Sequence, residues 1–106
     1  MASQIPLLLV DFNEMLDFDL VLLSRDDVKA DAGGNPVHLY EGMAVDIYSD
    51  DGAFDDGRPS ALLARGVVER NRTEGWSKHV KWACRIDQKG VHHVELSQLT
   101  QHEPLK

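Results

Sequence analysis

The sequence predicts a mainly β fold: a small antiparallel barrel or sandwich of five short strands with little helix. Two stretches alternate strictly between core-type and surface-type positions, "GMAVDIYSD" (42–50) and "KHVKWACRID" (78–87). Period-two patterning with β-branched and aromatic residues marks half-buried strands. Between the apolar runs, Gly, Pro, Asn and Asp recur as turn punctuation, the layout of consecutive short strands.

Each element follows from its residues. "IPLLLV" (5–10) is an apolar run that suits a further strand or an arm packed on the body. In "DFNEMLDF" (11–18), Phe12, Met15 and Leu16 stand at i, i+3 and i+4, so a helix of at most two turns is expected there. Leu20 to Ser24 reads as a strand. "DAGGNPVHLYEG" (31–42) is a loop, the tip of an irregular hairpin joining 20–29 to 37–48. In 42–50, Met43, Val45 and Ile47 face one way, and Ala44, Asp46 and Tyr48 face the other.

"ALLARGVVERNR" (61–72) is extended, but Leu63, Val67 and Val68 cannot share one face of a regular strand. Gly66 between them is expected to form a bulge that switches the facing. "RTEGWS" is a tight turn. In 78–87, Val80, Trp82, Cys84 and Ile86 face the core. "DQKG" (87–90) is a second tight turn, with Gly90 suited to positive φ. "VHHVEL" is a short last strand, and "LSQL" closes as a single helical turn.

The 106 residues argue for one domain, long enough for a modest core without disulfide or metal staples. No run approaches the roughly 20 apolar residues of a membrane helix. Ile5 to Val10 contains a proline and has no basic stretch before it, so no secretory signal is expected. Cys84 is the single cysteine, and a reducing cytoplasm is the default location. The net charge of −7 is unevenly spread: residues 1–64 carry −10, residues 65–89 carry +4 and residues 90–106 carry −1.

The order of elements resembles a Src-homology-3-like (SH3-like) barrel, including its Tudor-like variants. The carriers are "EGMAVDIYSDD", "LLARGVVERN", "KHVKWACRID" and "GVHHVELSQL", within roughly residues 20–99. An oligonucleotide-binding-type barrel is the competing pattern. The resemblance implies a five-stranded barrel over 20–99; residues 1–19 have no place in that pattern and read as an N-terminal extension, and 100–106 read as a frayed tail. The resemblance also implies that aromatics near loops line a peptide groove or a cage for methylated side chains. Here those aromatics are Tyr48, Phe54 and Trp76.

Several groups of residues bear on chemistry. The acidic stretch "YSDDGAFDDG" (48–57) suggests a calcium loop, which needs ligands at positions 1, 3 and 5, Gly at 6 and Glu at 12. Placing Gly52 at position 6 puts Ile47 at 1 and Arg58 at 12; placing Gly57 there puts Gly52 at 1 and Leu63 at 12. Both registers fail, so Asp50, Asp51, Asp55 and Asp56 read as a polar interstrand loop, and no metal or other cofactor is expected. A hairpin placing Val80 and Trp82 opposite Leu96 and Val94 would set Cys84 facing His92, a pair with no evident third ligand, so a structural cysteine is expected. Arg65, Arg70, Arg72, Lys78, Lys81 and Arg85, with Trp76 among them, could bind phosphates and stack bases. The acidic whole disfavours a polyanion. No serine sits in a nucleophile elbow and no glycine loop cradles phosphate, so no enzyme is expected.

The leading expectation is therefore a cytoplasmic, non-enzymatic binding module contacting a protein or peptide. Its surface would combine Asp50, Asp51, Asp55 and Asp56 with Tyr48, Phe54 and Trp76. The alternatives are nucleic-acid binding through the basic strands and a structural or self-associating role through exposed sheet edges.

Overall fold

The structure, a computed structural model, describes residues 5–97. The tail 100–106 and part of the "LSQL" turn lie outside them. The chain is mainly β. Its elements are β1 (Leu7–Leu9), a 3-10 turn (Phe12–Glu14), β2 (Met15–Asp17), β3 (Leu20–Ser24), β4 (Val28–Ala30), β5 (Pro36–His38), β6 (Ala44–Ala53), β7 (Pro59–Arg70), a 3-10 turn (Gly75–Ser77), β8 (Trp82–Ile86) and β9 (His92–Glu95).

One sheet of seven strands runs in the order β1-β6-β7-β8-β3-β2, with β9 also on β7, while β4 and β5 form a separate hairpin. The sheet is mixed and does not close, where the sequence predicted five antiparallel strands closing as a barrel. β1 runs parallel to β6, setting Leu8 beside Ile47. Parallel neighbours need a long crossover, and residues 10–43 supply it. The segment expected as an extension thus contributes two strands. Its predicted helix is a 3-10 turn capped by the Asp11 carboxylate, which accepts the Asn13 N–H at 2.9 Å. Phe12 and Met15 still pack on the core, but from the turn and from β2.

The β6–β7 hairpin is the backbone of the sheet. Its register is regular from Ala44 opposite Val67 to Asp50 opposite Ala61, so Gly66 forms no bulge against β6. The irregularity falls between Asp50 and Ala53, at Gly52 with φ +88°. Gly66 is needed for close approach instead. A Cβ there would lie 2.4 Å from the Arg85 carbonyl oxygen and 2.6 Å from Cys84 Sγ.

β8 and β9 do not pair with each other. β8 lies along the Gly66–Arg70 half of β7, and β9 lies along the Ser60–Leu63 half. The two are end to end on one edge of β7, and residues 87–91 loop out between them. The turn at 87–90 forms, with Gly90 N–H donating to the Asp87 carbonyl at 3.0 Å, but the chain leaves it in its original direction. The expected Cys84–His92 juxtaposition therefore fails: Cys84 stands opposite Val68, and His92 opposite Leu63.

Alternation along β7 serves two cores. On one face Leu8, Val21, Val45, Ile47, Ala64, Val68 and Cys84 are buried together with Trp82, Ile86 and Leu39. On the other face Leu7 and Ala61 form a smaller cluster with Tyr48, Leu63, Val94 and Leu96 against it. Trp82 is core, as its phase predicted. Its Nε1–H donates to Asp27 at 2.9 Å, which satisfies the indole where the core meets the surface.

Candidate functional site

The structure distributes the predicted site residues rather than gathering them. Phe54 follows β6 at the tip of the hairpin. Its ring lies 5.0 Å from the Arg58 guanidinium carbon and its centroid 6.5 Å from that of His93 on β9. Arg58 also pairs with Asp56 at 2.7 Å and with Glu95, and His93 Nε2 lies 2.8 Å from Asp51. The tip is thus clipped onto β9. Tyr48 is half-buried in the smaller cluster on the opposite face from Ile47. Trp76 is 64% exposed in the loop after Arg70, with β7 and its twelve residues between it and Phe54. Asp50 and Asp55 are exposed.

The basic residues come from β7, β8 and the connection between them, as the sequence suggested, with Arg72, Lys78 and Lys81 in that connection, but carboxylates meet most of them. Arg65 pairs with Asp46 at 2.7 Å, Arg72 with Glu41 at 3.4 Å and Lys81 with Asp27 at 2.7 Å. Arg85 bridges Asp19 at 2.8 Å and Glu69 at 3.0 Å. These contacts raise the Arg65 and Arg85 guanidinium pKa values further, through hydrogen bonds to Asp46 and to Glu69 respectively. The Arg70 guanidinium carbon lies 5.6 Å from the Trp82 ring centroid. Lys81 and the Trp82 indole together hold the Asp27 carboxyl below the usual range.

A cleft of about 710 Å³ opens where the sheet fails to close. Residues from both arms of the open sheet line it. Leu9 and Val10 come from the β1 end, Ser49, Asp50 and Asp51 from β6, and Leu22, Leu23 and Ser24 from β3. The crossing segment Asp11–Glu14 forms one wall; Arg25, Asp26, Lys29, His79 and Val80 complete it. Its apolar residues include Val10, Phe12, Leu22, Leu23, Leu62 and Val80. Around them stand five carboxylates, Asp11, Glu14, Asp26, Asp50 and Asp51, against Arg25, Lys29 and His79.

Among the described residues, no ion pair engages Asp11, Glu14, Asp26, Asp50, Arg25 or Lys29. Burial lowers the Lys29 ammonium below the ordinary lysine range, because the wall takes part of its stem out of water. Asp51 belongs both to this cleft and to the hairpin-tip cluster, so Phe54, Arg58 and His93 brace one of its walls.

Of the residues expected at a site, the cleft holds Asp50 and Asp51. Asp11, Phe12, Glu14, Asp26, Lys29 and His79 were missed. No local motif marks them, since they come from three separate segments, 11–14, 26–29 and 79. Among the described residues no three His, Cys, Asp or Glu side chains converge to hold a metal ion, and no helix is long and apolar enough to cross a membrane. No protein-family model, curated protein or solved structure matches the chain.

Proposed function

We propose that this chain is a non-enzymatic, cytoplasmic binding module whose cleft takes a peptide segment carrying basic and apolar side chains. The observation that carries this reading is the contrast in charge pairing. The basic strand surface is largely neutralised by its own carboxylates, whereas the cleft presents apolar side chains interspersed with carboxylates that form few ion pairs. A concavity of this kind, with apolar side chains among polar and charged ones, can hold both kinds of side chain of a peptide, and the excess of carboxylate selects cationic partners and rejects anionic ones. The same contrast favours a peptide over a nucleic acid, because Arg65, Arg72, Lys81 and Arg85 have partners of their own. The Src-homology-3-like barrel remains part of this proposal. Its support is β7, long enough to carry β9 on one half and β8 on the other.

The test is a calorimetric titration with a blocked octapeptide of alternating lysine and valine, beside its glutamate–valine counterpart. The lysine peptide is expected to bind and the glutamate peptide is not. Asp50→Lys is expected to weaken the lysine peptide by about 0.2–1 kcal/mol, the scale of one exposed charge pair. Equal affinity for the two peptides would remove the reading.

A further inference from the structure

The partner's backbone, as well as its charge, has a place to bind. In β6, residues of even number turn their backbone groups away from β7 and toward β1. Asp46 N–H donates to the Pro6 carbonyl at 2.9 Å, and the Tyr48 carbonyl accepts the Val10 N–H at 2.9 Å. Asp50 has the same phase, because the ladder to β7 stays regular from Ala44 to Asp50. The next rung of the parallel ladder would run from Asp50 N–H to the Val10 carbonyl. That bond is not among the backbone bonds of the described residues, because the chain turns away at Asp11 to cross to β2. β6 nevertheless continues to Ala53. The edge of β6 beyond Tyr48 thus faces the cleft with its pairing unfinished, and Asp50 and Asp51 at this edge also line the cleft.

We infer that the cleft binds its partner by strand addition: an extended basic and apolar segment takes up the β6 edge at Asp50 where β1 leaves it. An exposed edge is a template for pairing, and strand addition takes affinity from main-chain bonds and specificity from alternate side chains. An alternating segment would turn one set of side chains toward Val10, Leu23 and Leu62 while its cations meet Asp11, Glu14 and Asp50. Charge selects this occupant. A second copy of the chain, whose own cleft edge is acidic, would set carboxylate against carboxylate. The inference rests on the reading of the cleft as a peptide site and adds the mode of binding.

Two measurements with the lysine–valine octapeptide decide it. In amide hydrogen exchange by NMR, saturation with the peptide is expected to slow the Asp50 N–H by about tenfold or more, the scale of one new hydrogen bond. Asp50→Pro, which removes that donor, is expected to bind about tenfold more weakly than Asp50→Ala, which removes the carboxylate and keeps the donor. If the peptide binds while Asp50 exchanges at its free rate, strand addition is wrong and the peptide-binding reading stands. Equal affinities of the two variants overturn it in the same way. If the lysine peptide binds no better than the glutamate peptide, both readings fall.

Discussion

Arg65 stands directly opposite Asp46 in the β6–β7 register and closes on its carboxylate with two hydrogen bonds, Nε at 2.7 Å and Nη2 at 3.1 Å. Asp46 is 3% exposed, so its charge sits against the sheet rather than in water. Removing the guanidinium leaves a buried carboxylate short of two donors. Arg65→Ala is expected to cost about 1.5–3 kcal/mol, the scale of hydrogen bonds lost from a charged group. Arg65→Lys should recover part of that loss, because an ammonium supplies charge without the two-pronged geometry. Denaturant unfolding of the two variants measures both. A loss in Arg65→Ala no larger than that of an exposed Lys78→Ala would show the pair to be ornamental.

Gly66 supplies a second test of the same hairpin. The atoms nearest to an added Cβ are the Arg85 backbone carbonyl and the buried Cys84 sulfur, and neither is the free end of a flexible side chain. Gly66→Ala must therefore push β8 away from β7. The expected cost is about 1–3 kcal/mol, the usual range for overpacking a tight core. Thermal unfolding should show a lowered Tm with the fold retained. An unchanged Tm would mean that β7 and β8 separate freely at this rung.

Cys84 gives a prediction in pH. Burial pushes its thiol up from 9.0 to about 12, with Glu69 and Asp46 adding to the effect. The folded chain thus holds the neutral thiol, while the unfolded chain ionises it earlier. The associated stability is fully present below pH 9 and is lost as pH rises toward 12. Comparing unfolding free energies across that window should show a steeper decline for the parent chain than for Cys84→Ala, whose absolute stability is lower for want of the sulfur. Lys29 acts with the opposite sign, since its pKa is lowered on folding, and it is common to both proteins. Thiol reagents should label Cys84 only at the rate of unfolding; immediate labelling of the native protein would contradict its burial.

These features divide by how far along the chain their causes lie. The alternation in 42–50 and 78–87 reported which side chains face the core, and Val45, Ile47, Trp82 and Cys84 are indeed buried. Alternation carries no information about which strands are neighbours. A turn at 87–90 is read from Asp87 and Gly90, yet whether it reverses the chain depends on β7, some twenty residues earlier, offering one long edge to both β8 and β9. Gly66 announced itself as special, but a bulge and a close approach demand the same missing side chain. The cleft was the least readable feature. Asp50 came from a conspicuous acidic run, whereas Asp11, Asp26, Lys29 and His79 meet it through the crossing of residues 10–14 and the open edge of the sheet.

Phe54 is a conspicuous residue with neighbours of its own at the hairpin tip. Amid four aspartates the sequence leaves it either tucked back onto the barrel or open to a partner, and its ring packs beside Arg58 and His93. Its backbone closes the tip, with Phe54 N–H donating to the Arg58 carbonyl at 2.8 Å and Gly57 N–H to the Phe54 carbonyl at 2.9 Å. Phe54→Ala keeps those bonds and removes the surface on which Arg58 rests. The expected loss is about 0.5–1 kcal/mol, the scale of an exposed cation–π contact. It should appear as faster amide exchange across 54–58 and at β9, since Arg58 and His93 tie the tip to that strand. Affinity of the lysine–valine peptide should be unchanged, because Asp50 and the apolar lining are untouched. If instead the peptide is lost while exchange at β9 is unaltered, Phe54 contacts the ligand directly, and the site extends from the cleft over the hairpin tip.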